Sequence, residues 1–235
     1  MTTVLLVRHG RTAANAGGVL AGWTPGVGLD DHGRDQVTRL GERLDKVPLA
    51  AVVCSPLDRA LQTAEHLVRD RAVDVPVHVD DRVGEVRYGD WTGQPLKQLA
   101  KAPLWKVVQA HPSGATFPGD DGESLASMQS RAVTAVRDWN QRLGDDAVYA
   151  VVSHGDVIKA LLADALGQHL DHFQRIVVDP ASLSVVRFTQ LRPFVERMND
   201  VGGSVDGLVP PRKGRRRKKP SSDAAVGGGA GEGTP

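Results

Sequence analysis

The sequence predicts an α/β fold, a three-layer sandwich in which helices flank a mostly parallel central sheet, and three observations carry that expectation. First, Val4-Leu5-Leu6-Val7, Ala50 to Cys54 and Ala147 to Val152 are apolar runs of strand length, the pattern of strands buried on both faces. Second, segments of helical periodicity separate and follow these runs, which is the βαβ alternation of a parallel sheet. Third, each run stops at polar residues, Arg8-His9, Ser55-Pro56 and Ser153-His154-Gly155. Open α/β sheets form their ligand crevice at that edge.

Taken in order, the first strand passes into a Gly- and Ala-rich loop from Arg11 to Gly28, expected to lie over the sheet edge. Asp31 reads as the N-cap of a helix to about Lys46, with Val37, Leu40 and Leu44 at helical spacing. The second strand is followed by a helix over residues 57 to 71, with Leu61, Ala64, Leu67 and Val68 facing inward. Val75 to Val79, interrupted by Pro76, is a weaker strand. Residues 88 to 121 lack clean periodicity and hold Trp91, Trp105 and Phe117; they read as an insertion that partly covers the crevice. Leu125, Met128, Ala132, Val136, Trp139 and Leu143 place one apolar stripe on a long helix, entered at Ser124 and ended at Gly144. After the third strand, Asp156 is expected to cap a helix from Val157 to about Leu166. Ser184 to Phe188 and Phe194-Val195 supply strands nearer an edge, closing a folded body of residues 1–198.

Charge divides along the chain. From Asn199 onward there are seven Lys or Arg and four acidic residues, whereas the body carries 22 basic and 24 acidic residues. A nucleic-acid partner is therefore not called for by the body. Residues 199–235 are rich in Gly, Pro, Ser and Lys/Arg, too poor in apolar surface to offset the entropy of ordering, so a disordered tail is expected. No apolar run approaches the ~20 residues that cross a bilayer, and no signal segment precedes the first strand. Together with the single Cys54, this points to a cytoplasmic protein without a membrane partner. Cys54 itself reads as a small core residue.

If the three strands are parallel neighbours, Arg8, His9, Arg59 and His154 converge in one crevice. Two guanidiniums provide planar, multidentate donors suited to a phosphoryl group. Asn15 and loop amides add neutral donors. Singly, each has an ordinary explanation: a surface histidine, a salt-bridging arginine, an asparagine in a turn, a surface Glu85. Their joint placement after buried strands is what points to a phosphate. No clustered zinc or calcium ligand spacing occurs. Four residues separate Cys54 from Arg59, one fewer than a cysteine-phosphatase loop needs, and neither a Walker loop nor a Gly-x-Ser-x-Gly elbow is present.

The motifs Arg8-His9-Gly10-x-Thr12-x-x-Asn15, Ser55-Pro56-Leu57-x-Arg59, Glu85-x-x-x-Gly89-x-Trp91-x-Gly93, Gly122-Glu123-Ser124 and Ser153-His154-Gly155 resemble, in order and spacing, the phosphoglycerate-mutase-like branch of the histidine phosphatase superfamily. The resemblance covers residues 4 to about 190. It implies a phosphoglycerate mutase-like fold, with His9 as the nucleophile that becomes a phosphohistidine and Glu85 as the proton donor. It further implies Arg8, Asn15, Arg59 and His154 as the phosphate pocket, Gly10, Thr12, Gly22 and Gly155 as supporting positions, and neither a metal nor another cofactor.

The expected activity is that of a phosphomonoesterase on a small phosphorylated metabolite. A phosphomutase is the alternative, and a phospho-ligand-binding or scaffold protein a more distant one. Ala21-Gly22 in the loop after the nucleophile, the 68 residues from Glu85 to Ser153, and Arg87 at a position where the family more often has an acid favour the phosphatase. A homodimer is a further expectation.

Overall fold

The computed structural model describes residues 1–202. The tail expected to be disordered lies, from residue 203 onward, outside the described residues. Six strands, β1 (Thr2–Arg8), β2 (Ala51–Cys54), β3 (Val77–Val79), β4 (Val148–Ser153), β5 (Leu183–Phe188) and β6 (Pro193–Asp200), form one sheet in the order β3-β2-β4-β1-β5-β6. The first four are mutually parallel, while β5 runs antiparallel to β1 and β6 antiparallel to β5. The final strand carries through Asp200, two residues past the expected end of the body.

Alternation along the central strands divides the core into two layers. Val4 and Leu6, Ala51 and Val53, and Tyr149 and Val151 face one side; Leu5 and Val7, Val52 and Cys54, and Ala150 and Val152 face the other. This period-2 alternation explains the uninterrupted hydrophobicity of the runs, because helices cover both faces. Helices α2 (Asp31–Leu44) and α3 (Asp58–Val68) cover one face through Val37, Leu40, Leu44, Ala60, Ala64 and Leu67. The long α6 (Leu125–Leu143) and α7 (Gly155–Ala165) cover the other.

Local chemistry corrects several boundaries. Asp30, not Asp31, caps α2: its side chain accepts from the Gly33 amide at 2.7 Å. Ser124 caps α6 as expected, accepting from the Ser127 amide. The N-cap position of α7 belongs to His154. Asp156 lies inside the first turn and is fully buried, so it answers to tertiary partners rather than to the helix end. The loop after β1 contains a short helix, α1 (Ala13–Gly17), and Leu61 and Val68 pack only at the margin of the core.

The insertion is not a separate layer. It holds α4 (Leu96–Leu99) and α5 (Pro103–Ala110), and its aromatics join the main core. Tyr88 meets Phe117 edge-on at 4.9 Å between centroids, and Trp91 meets Phe117 at 5.3 Å.

Candidate active site

Register brings three strand ends together. Arg8 of β1 pairs with Ser153 of β4, and Cys54 of β2 pairs with Val152, so the residues just beyond leave the sheet side by side. The His9 amide donates to the Ser153 carbonyl and the Ser55 amide to the Val152 carbonyl, extending the ladders one residue past the strands. As a result His9 and His154 face one another, ring centroids 5.2 Å apart. Arg59, in the first turn of α3, aims Nε at His9 Nε2 from 3.3 Å.

Glycines permit this crowding. A Cβ on Gly10 would lie 2.7 Å from the Gly33 carbonyl oxygen and 2.8 Å from Val37 Cγ1, so only glycine lets the end of β1 pass under α2. Gly22 holds φ at +50°, and its carbonyl accepts from Arg59 Nη2 at 2.8 Å. The loop after β1 therefore fixes the guanidinium that faces the histidine. Gly155 is the first residue of α7.

Electrostatics favour a neutral imidazole at His9. Burial pushes its protonation well below the usual histidine range, and Arg59 and Arg8 push in the same direction. Its Nδ1 lies 2.7 Å from the Gly10 carbonyl oxygen, which places the ring proton there and leaves the Nε2 lone pair toward Arg59. His154 is likewise held neutral, by burial and then by Arg59, His9 and Arg8. Ser55 Oγ sits 2.7 Å from its Nε2. Glu85 stands at the opposite wall, its Oε2 3.9 Å from His154 Nδ1. Burial and then the charge of Asp156 lift its carboxyl to about 7, against the pull of Arg59 and Arg8.

Arg8 is wholly buried and donates Nη1 to the Val178 carbonyl at 2.7 Å. Burial lowers its pKa to about 10, so the guanidinium remains charged at neutral pH. Arg59 Nη1 and His154 Nδ1 are buried with no hydrogen-bond partner among the described residues. Buried donors so rarely stay unmatched that these two mark a place for an acceptor-rich ligand. Asn15 is placed differently. It completes a capping box with Thr12, its Oδ1 accepting from the Thr12 amide and hydroxyl, which leaves its amide donors uncommitted among the described residues. Among those residues, no three His, Cys, Asp or Glu side chains gather as a metal site would require. Cys54, buried and pushed up to about 12, is a thiol at neutral pH, which does not suit a cysteine nucleophile.

The sequence profile of the histidine phosphatase superfamily, branch 1, matches residues 4–201. The chain belongs to that superfamily. Over 178 residues it is 35% identical to the glucosyl-3-phosphoglycerate phosphatase of Mycolicibacterium vanbaalenii, covering 72% of this chain and 76% of the relative. Phosphoserine phosphatase 1 of Hydrogenobacter thermophilus is 29% identical over 201 residues, covering 85% and 92%. Among solved structures, YhfR of Bacillus stearothermophilus superposes with a TM-score of 0.77 at 30% identity, covering 85% of this chain and 98% of that one.

Around the motifs of this histidine phosphatase lie residues that sequence reasoning overlooked. Arg131 of α6 donates to the carbonyls of Arg82, Gly84 and Glu85 and pairs with Glu123, so one guanidinium anchors the segment that presents Glu85. Trp23 Nε1 donates to the same Glu85 carbonyl at 2.7 Å. Arg131 adjoins the apolar stripe of α6, and nothing in its spacing marks it as an anchor. Buried Asp156 and Lys159 did leave a signal, since both interrupt the apolar run over Gly155 to Ala163 in α7. Two residues past Glu85, Arg87 stacks over Trp23 at 4.1 Å. The pair lines an open cavity of about 700 Å³ with Thr92, Asp90, Asp120 and Asp121.

Proposed function

We propose that this histidine phosphatase hydrolyses a small phosphorylated metabolite through a phosphohistidine on His9. The observation that carries the reading is the state of His9: buried, neutral, with Nδ1 against the Gly10 carbonyl and Nε2 facing a guanidinium. A neutral imidazole with a directed lone pair is a nucleophile, and covalent capture splits one displacement into two.

In the first step His9 Nε2 bonds to phosphorus while the ester P–O bond breaks, and the departing oxygen takes the Glu85 proton. In the second, water bonds to phosphorus and gives a proton to the Glu85 carboxylate, while the P–N bond breaks and free phosphate leaves. Arg8, Arg59 and His154, with Asn15 from the rim, meet the charge on the equatorial oxygens. A carboxyl held near 7 matches a group that gives and then takes a proton at neutral pH.

The named relatives act on phosphorylated organic metabolites, and the open cavity between Trp23 and Asp121 has room for the organic part of such a substrate. A cytoplasmic location belongs to this reading, on the buried free thiol of Cys54; among the described residues no helix is long and apolar enough to cross a membrane. A homodimer belongs to it as well, with half-exposed Phe194 and Met198 on edge strand β6 as a surface to cover.

Rapid quench into base during turnover of a small alkyl phosphate tests the proposal. One phosphoryl group should appear on the peptide containing His9, and the product should be free phosphate rather than an isomer of the substrate. Turnover by His9→Ala at the wild-type rate would overturn it.

A further inference from the structure

A second set of buried polar side chains lies behind Glu85 and is not used in the steps above. Tyr88 donates its hydroxyl to Asp156 Oδ2 at 3.0 Å, with both residues fully buried. Lys159, one turn along α7, sits 3.5 Å from Asp156 Oδ1, and its ammonium also donates to Gln174 Oε1 at 3.1 Å. Asp156 is thus held on both carboxylate oxygens, by the Tyr88 hydroxyl and by the Lys159 ammonium group.

The positions of the two bonded residues are informative. Tyr88 follows Glu85 by three residues and Asp156 follows His154 by two, so their bond joins the segment that presents the acid to the helix start that presents the histidine. The acid and the histidine are 3.9 Å apart. Charged and titratable groups face this wall from every side: Arg8 at the end of β1 and His9 just after it, Arg59 from α3, Tyr88 from the chain after Glu85, Arg131 from α6, and His154, Asp156 and Lys159 from the α7 end. Among them, Asp156 is the carboxylate that acts on Glu85, as Arg59 and Arg8 pull the opposite way.

We propose that the Tyr88–Asp156 clasp is a positioning device for Glu85, in which the bond ties the segment carrying the acid to the start of α7 and fixes Asp156 as the carboxyl group that acts on it. The proposal rests on Glu85 being the proton donor. Asp156 adds to burial against the pull of Arg59 and Arg8, which helps Glu85 keep a proton to pass to a leaving alkoxide. In electrostatic sign, burial is the first cause that raises the Glu85 carboxyl and Asp156 the second.

The test compares an alkyl phosphate, β-glycerophosphate, with p-nitrophenyl phosphate, whose leaving group departs without a proton. In Asp156→Asn, kcat/KM for β-glycerophosphate should fall roughly tenfold at pH 7.5 to 8, with the alkaline limb displaced about one unit toward acid. Lowering the pH should restore most of that loss. Loss on p-nitrophenyl phosphate should stay within about threefold, and this rate also reports that the variant is folded.

Tyr88→Phe keeps the charge and removes the tether, so its alkaline limb should stay in place while kcat for β-glycerophosphate falls. Equal losses on both substrates at every pH in Asp156→Asn, or no loss on either, would overturn the clasp. Glu85→Gln separates the two claims. If it is impaired selectively on β-glycerophosphate while Asp156→Asn is not, the clasp alone fails. If Glu85→Gln turns over both substrates normally, the proton-donor reading fails and takes the clasp with it.

Discussion

Two stretches of the same strands are equally buried and opposite in kind. Val4 to Val7, Ala51 to Cys54 and Tyr149 to Val152 are apolar, and their backbone groups are matched within the sheet. One residue further on, Arg8, His9, Ser55, Ser153 and His154 are just as inaccessible, joined there by Arg59 and Glu85. Burial in the first stretch removes apolar surface from water and stabilises the fold. In the second it removes imidazole, guanidinium and carboxyl groups from water and perturbs each of them. Five perturbed groups within one crevice, two of them with unmatched donors, are what a site prepared for a charged ligand requires. The lower strands hold the sheet together so that the strand ends can tolerate this arrangement.

Substitutions on either side should separate activity from stability. The largest expected effect belongs to the upper edge: His9→Ala should lose more than about 10³-fold in kcat, with a thermal midpoint no lower than that of the wild type. A matched fall in midpoint would erase the distinction between the two stretches. The counterpart is Leu6→Ala, three residues earlier in the same chain. It should cost about 2 to 5 kcal/mol in denaturant unfolding while leaving kcat per folded molecule unchanged, because Leu6 touches the core and not the crevice.

Two pH measurements sharpen the comparison. For an alkyl phosphate, after allowance for ionisation of the substrate, log kcat/KM should be flat below pH 7. It should fall about tenfold per unit above it, because Glu85, raised to about 7, must carry a proton. No acid limb should appear in the usual histidine range, since His9 is neutral well below it. The same raised carboxyl should weaken the fold. The stability of the protonated state is fully present below the pKa of the unfolded carboxyl and is lost as pH rises through about 7, where the buried carboxylate opposes folding. Glu85→Gln should therefore match the wild type in thermal midpoint near pH 4 and exceed it at pH 8; identical midpoints throughout would deny that burial of this acid opposes folding.

The smallest effect is expected at the boundary between the stretches. Cys54 ends β2, packs in the lower core and donates its thiol to the Ser55 carbonyl. Cys54→Ser should keep that bond and cost about 1 kcal/mol of stability, with turnover within a factor of two of the wild type. A loss comparable to that of His9→Ala would move the nucleophile to the thiol.

Much of this was legible in the chain. Runs such as Val4 to Val7 announce strands covered on both faces, because such hydrophobicity has no other stable place in a soluble α/β domain. The polar residues after each run announce the crevice. The helix caps were less legible. At Asp30-Asp31 two adjacent residues can both cap a helix, and only the bond to the Gly33 amide shows that it is Asp30. Asp156 misled for a related reason: an aspartate after a strand looks like a cap, whereas its hydrogen-bond partner Tyr88 is 68 residues away. Arg131 shows the same limit, since the carbonyls it gathers come from residues 82 to 85.

The sequence by itself determined the alternation of strands and helices, the order and spacing of His9, Arg59, Glu85 and His154, and the family to which they belong. Those properties depend on local periodicity and on residue type at fixed intervals. Tertiary structure alone decided that Glu85 reaches within 3.9 Å of His154, that His9 is desolvated and neutral, and that Asp156 stands behind the acid. Protonation depends on burial and on the charges gathered nearby, and both arise only when segments far apart in the chain pack against one another.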